Sequence, residues 1–116
     1  YLVQCGDFTI FHAGDSILYN GYIDKIKAWP LPIDIACIPV NGRDHERDAL
    51  GIIGNLHPQE ALELAKDLGV KMMIPMHNDL FAGNRTPSEE LNSLHQANYS
   101  QLNVKWMSPG ETLTIQ

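Results

Sequence analysis

The run Ile33 to Val40 (IDIACIPV) is apolar almost throughout, partly β-branched, and bounded by Pro32 and by Asn41-Gly42. A strand that is apolar on successive residues leaves no side for water, so this one reads as buried on both faces, central and parallel to its neighbours. Parallel neighbours need long crossovers, most often helical. Helix-compatible segments do lie on both sides of it, which sets the fold class as α/β with helices packed on a sheet.

In chain order, Tyr1 to Cys5 and Phe8 to His12 are β-rich runs separated by Gly6-Asp7, the signature of a tight hairpin. Gly21 to Trp29 is a short helix candidate closed by Pro30 and Pro32. After the central strand, Asn41 to Asn55 reads as a long polar loop, of the length that usually carries function. Pro58 to Leu68 is the clearest helix: Ala61, Leu62, Leu64, Ala65 and Leu68 form one apolar stripe, Pro58 suits the first turn, and Gly69 is a stop. Val70 to Met76 is a second buried strand. A last helix is expected from about Pro87 to Asn98 with Thr86 as its N-cap, then two short strands at 104–106 and 112–115. The expected order is ββαβαβαββ, in one segment covering residues 1–116.

A net charge of -6, with Lys and Arg scattered, argues against a nucleic-acid surface. No apolar stretch approaches the roughly 20 residues that cross a bilayer. Cys5 and Cys37 sit in apolar strand-like runs, and their expected state is buried, reduced thiols in a cytoplasmic protein. The chain opens at Tyr1 directly in a strand pattern, as expected of a piece cut from something longer.

Two strand ends stop abruptly at polar residues. Phe11-His12-Ala13-Gly14-Asp15-Ser16 presents Asp15 behind a glycine turn, and Ile74-Pro75-Met76-His77-Asn78-Asp79 presents His77. A carboxylate and an imidazole delivered past the carboxyl ends of strands are the donor types of a hard-to-borderline metal site. Each has a plain alternative: Asp15 as an Asx-turn or helix cap, and His77 as a satisfied strand-end histidine. His12, Asn78 and Asp79 are candidates to support the ligands from behind. His45 and His57 lie in or beside the long loop, and His95 reads as a surface residue of the last helix. Arg43 and Arg47 suit an anionic substrate group, or else an ion-pair network with Asp44, Glu46 and Asp48.

HAGDS, IDIACIPVNGRD and NLHPQEALELAKDLGVKMMIPMHND together resemble the C-terminal half of the metallo-β-lactamase fold. Within it they are most similar to the L-ascorbate-6-phosphate lactonase group of metal-dependent hydrolases. The resemblance implies one side of an αββα sandwich. It also implies two divalent metals, zinc or manganese, in the intact enzyme. Asp15 would bridge them and His77 would ligate one, with Arg43, Arg47 and Asn55 on the substrate side. The implied reaction is attack of an activated water on a lactone or ester of a small anionic substrate. The alternatives are a phosphodiesterase or nuclease-type hydrolase of the same fold, or a non-catalytic α/β partner-binding module. The family's His-x-His-x-Asp-His motif has no match here. The resemblance therefore implies that the chain alone is inactive and that its open sheet face is covered by a second copy or by the parent's N-terminal half.

Overall fold

A computed structural model describes residues 1–115. Strands β1 (Leu2–Cys5) and β2 (Phe8–His12) form the expected hairpin. Helix α1 (Tyr22–Lys27) leads to the central strand β3 (Ile35–Pro39). Two helices follow, α2 (His45–Ala49) and α3 (Pro58–Leu68), and then strand β4 (Met72–Met76). A single 3₁₀ turn (Ala82–Asn84) precedes the last helix, α4 (Ser88–Asn98).

The sheet runs β1-β2-β3-β4, with β1 antiparallel and the other three parallel. The α/β class with a central parallel strand is therefore as expected. Ala36, Ile38 and Val40 are fully buried. Phe11, Ala36, Ile38, Met73 and Pro75 point to one side, where they meet Leu62, Leu64, Ala65 and Leu91 of the helices and form the core. Helix α3 has the predicted bounds. Pro58 occupies its first turn, and Gly69 ends it at φ +65°.

The other side of the sheet has no helical cover. Register places Ile10 opposite Ile35 and Met72, Cys37 opposite Ile74, and Pro39 opposite Met76. Ile10, Cys37, Met72, Ile74 and Met76 remain only half-buried. This open face is apolar, as one inner face of a sandwich would be.

Four sequence expectations need correction. The segment read as a loop from Asn41 to Asn55 contains α2, capped when the Asp44 carboxylate accepts the Arg47 N–H at 2.8 Å. Pairing at 104–106 shrinks to a bridge between Val104 and Met73, and 112–115 forms no strand, so the order is ββαβααβα. Thr86 does not cap α4; its hydroxyl donates to the Val40 carbonyl at 2.8 Å, and Pro87 takes the cap position. Cys5 is exposed and Cys37 half-buried, both as free thiols, because the strands that carry them line an edge and an uncovered face. No helix among the described residues is long and apolar enough to cross a membrane.

At the amino ends of the strands, Asp34 is buried, accepts the Thr9 N–H at 2.7 Å and pairs with Lys71 at 2.6 Å. The Lys71 ammonium, helped by the Thr9 amide, holds the Asp34 carboxyl below its ordinary 3.8. A depressed carboxylate adds stability above its unfolded value and loses it as pH falls through the folded one. Chemical denaturation across pH 2–5 is expected to show this loss below about pH 4. Asp34→Asn should flatten that part of the profile.

Candidate metal centre

The three parallel strands end along one edge of the sheet, where an α/β fold gathers its chemistry. At the end of β2 the Ala13 N–H still reaches the Cys37 carbonyl at 3.0 Å, and Gly14 then turns at φ +64°. The ring Nδ1 of His12 accepts the Gly14 N–H at 3.2 Å, and the Ser16 hydroxyl donates to the Ala13 carbonyl at 2.6 Å. These contacts fix the loop that projects Asp15. His12 thus holds the turn that carries Asp15.

At the end of β4 the Met76 carbonyl accepts the Val40 N–H at 3.0 Å, and the chain breaks away at His77. His77 has φ +62°, the one non-glycine positive φ among the described residues. A side chain in that region is uncommon and costs of order 1–3 kcal/mol, so it persists only where the surroundings impose it. It turns the imidazole toward Asp15: Nδ1 of His77 lies 3.0 Å from Oδ1 of Asp15. Both side chains stay accessible, Asp15 at 76% and His77 at 41%.

Asn55 completes the floor. Gly42 and Gly54 pack so closely that the Gly42 N–H reaches the Leu56 carbonyl and the Asn55 N–H reaches the Gly42 carbonyl, each at 2.9 Å. Asn55 is 5% exposed. Its Oδ1 accepts the Ser16 N–H at 2.7 Å, and its Nδ2 donates to Asn41 Oδ1 at 3.0 Å and to Asp15 Oδ1 at 3.4 Å. Asn41 in turn donates to Asn84 at 2.9 Å. Sequence reasoning passed over Asn41 and Asn84; an asparagine directly after a buried strand was the available signal.

Asp15, Asn55, His77 and Asp79 line a cleft of about 600 Å³. Its walls include the exposed apolar side chains Ile52, Ile53, Leu80 and Phe81. Neither Asn78 nor Asp79 hydrogen-bonds the His77 ring; the Asn78 carbonyl instead accepts the Thr86 N–H at 3.0 Å. Arg43 and Arg47 are not brought into this cleft. Arg43 forms a two-pronged pair with Glu60, both contacts at 2.7 Å, which raises the guanidinium and lowers the carboxyl. Arg47 pairs with Asp44 at 2.6 Å and contacts Asn84 and the Asn41 carbonyl. His45 begins α2 away from the cleft, and His57 opens α3, where its N–H donates to Glu60 at 2.8 Å. His95 is not a free surface residue: its Nε2 lies 2.6 Å from the Leu102 carbonyl.

A carboxylate oxygen and an imidazole nitrogen facing each other at a cleft floor fit a divalent ion by donor type. They fit it as part of a site. No group of three or more His, Cys, Asp or Glu suited to a metal exists among the described residues. A catalytic zinc commonly holds three protein ligands and an open position.

A family profile described as "Beta-lactamase superfamily domain" matches residues 1–78. The chain belongs to the beta-lactamase superfamily. Among solved structures, this superfamily chain is similar to a metallo hydrolase from the hyperthermophilic archaeon Ignicoccus hospitalis, with TM-score 0.70 and 24% identity. That match covers 92% of this chain and 40% of the other. The metallo-beta-lactamase fold protein YhfI from Bacillus subtilis aligns with TM-score 0.68 and 18% identity over 95% of this chain and 41% of its own. These likenesses show the fold: an α/β fragment of the metallo-β-lactamase type. A protein of Methanoculleus marisnigri named as a metal-dependent hydrolase is 27% identical over 99% of this chain and 46% of its own length. One of the same name from Pyrobaculum islandicum is 28% identical over 99% and 45%. The chain spans less than half the length of the curated relatives it matches.

Proposed function

We propose that this superfamily chain forms the Asp15/His77 side of the active site of a metal-dependent hydrolase. The observation that carries the reading is the left-handed backbone at His77, which aims a ligand-type imidazole at Asp15 across two strand ends. Superfamily membership and relatives named as metal-dependent hydrolases support it.

Asp15 and His77 would hold the divalent metal, zinc or manganese, together with ligands from outside this chain. Bound there, such a metal supplies Lewis acidity and a water acidic enough to act as nucleophile near neutral pH. This chain's own residues do the rest. The apolar side chains of Ile52, Ile53, Leu80 and Phe81 line the cleft and would meet the apolar part of a substrate. Asn55 and the Gly14 turn keep the Asp15 carboxylate in place.

The substrate we favour is a lactone or ester of a small acid. An anionic group on it would compete with Asp44, Asn84 and the Asn41 carbonyl for Arg47, and with Glu60 for Arg43. The open sheet face is covered, in this reading, by a second copy or by sequence that the longer relatives carry. Isothermal titration with Co²⁺ tests the metal reading. Asp15→Ala and His77→Ala should each abolish the heat seen with the unmodified chain. Equal binding in all three proteins would remove the basis for the proposal.

A further inference from the structure

We infer that Asn55 is a positioning residue for Asp15 rather than a group that meets substrate. The inference rests on the reading of Asp15 as a metal ligand. An asparagine amide has two N–H donors and one carbonyl acceptor. At Asn55 both the amide nitrogen and the oxygen are engaged by other residues of this chain. The carbonyl takes the Ser16 N–H, one donor goes to Asn41, and the Nδ2 group also reaches Asp15 Oδ1 at 3.4 Å. With 5% of its surface exposed, little of the side chain is left for a ligand to touch.

The arrangement acts on Asp15 from two sides. By accepting from Ser16, Asn55 pins the backbone one residue beyond the carboxylate. By donating to Oδ1, it limits rotation of the carboxylate itself. Asn41 holds the Asn55 amide in that orientation, since a flipped amide would set its oxygen against Asn41 Oδ1. Asn41 is fixed in turn through Asn84, which Arg47 also contacts. The chain of contacts thus runs from Arg47 of α2, through Asn84 of the 3₁₀ turn and Asn41 after β3, to Asn55 and one oxygen of Asp15. Partners of this kind, behind a ligand, typically change metal affinity 10- to 100-fold when removed.

The test uses Co²⁺ alone as probe and the proton NMR of the asparagine side chains as a metal-free readout. Asn55→Ala is expected to weaken Co²⁺ binding by about 10- to 100-fold, whereas Gln96→Ala, on the exposed face of α4, leaves it unchanged. In the protein without metal, Asp15→Ala should move the Asn55 Nδ2 proton signals and leave those of Asn41 in place. Equal Co²⁺ affinity in Asn55→Ala and the unmodified chain would overturn the inference. So would Asn55 signals that ignore Asp15→Ala, and this second arm decides the matter if Asn55→Ala does not fold. Failure of the metal reading looks different: Co²⁺ binding is then insensitive to His77→Ala, while the Asn55 signals still respond to Asp15→Ala.

Discussion

Gly54→Ala is expected to destabilise the chain by about 3–5 kcal/mol in chemical denaturation, enough to unfold much of a domain of ordinary stability. A Cβ built at this position would lie 2.6 Å from the Gly42 carbonyl oxygen and 2.7 Å from the Arg43 Cβ. The first of these is backbone, which cannot swing aside as a flexible side chain would. The residue also has φ +76°, a region that L side chains enter at a cost of roughly 1–2 kcal/mol. Gly51 provides the control, because it has the same φ of +76° and nothing within 4 Å of the added carbon. Gly51→Ala should therefore cost only the backbone component. The difference between the two variants isolates the close approach that brings Asn41 beside Asn55. Equal losses at the two sites would show that the contact with Gly42 relaxes freely.

The second large effect concerns the two faces of the sheet. Ala36 is completely buried beneath the helices, whereas Ile74 is half-buried on the face that no helix covers. A lysine at Ala36 must place an ammonium in the core without a partner, so Ala36→Lys should leave no cooperative unfolding transition. Ile74→Lys should fold with a normal transition. On the open face we expect the unmodified chain to self-associate with concentration in analytical ultracentrifugation, and Ile74→Lys to run as a monomer. A monomeric unmodified chain at high concentration would mean that the apolar face is no contact between copies.

The framework of this fold was legible because its signals are local. IDIACIPV announced a strand without a wet side, and Pro58 and Gly69 marked both ends of a helix by backbone chemistry alone. Helix α2 was missed because five residues, HERDA, carry no apolar stripe; what forms it is the Asp44 cap and its tie to Arg47. The C-terminal strands failed for the opposite reason. Their composition is β-like, but a strand needs a partner edge, and only Val104 found one. Thr86 had the chemistry of a cap, but a buried carbonyl of Val40 claimed its hydroxyl.

At the site, residue type and placement gave Asp15 and His77, and the structure puts them in contact. What sequence could not supply was the allocation of hydrogen bonds. Arg43 and Asn55 are both polar residues near the same loop, and either suits a substrate. Glu60 lies a turn into α3, so its claim on Arg43 exists only after the chain folds back. The left-handed backbone at His77 has no sequence signature either, because the residue that adopts it is not the glycine that usually marks such a position.

Asp15 and His77 come from the first and last parallel strands of the sheet, with the whole central crossover between them. No short peptide from this chain can hold them at 3.0 Å, so the pair exists only when β2, β3 and β4 are assembled. An ion captured there is thermodynamically linked to folding. At a free concentration 100 times its dissociation constant, it would shift the unfolding equilibrium by about 2.7 kcal/mol. Melting temperature against metal concentration thus becomes an assay of the site that needs no substrate.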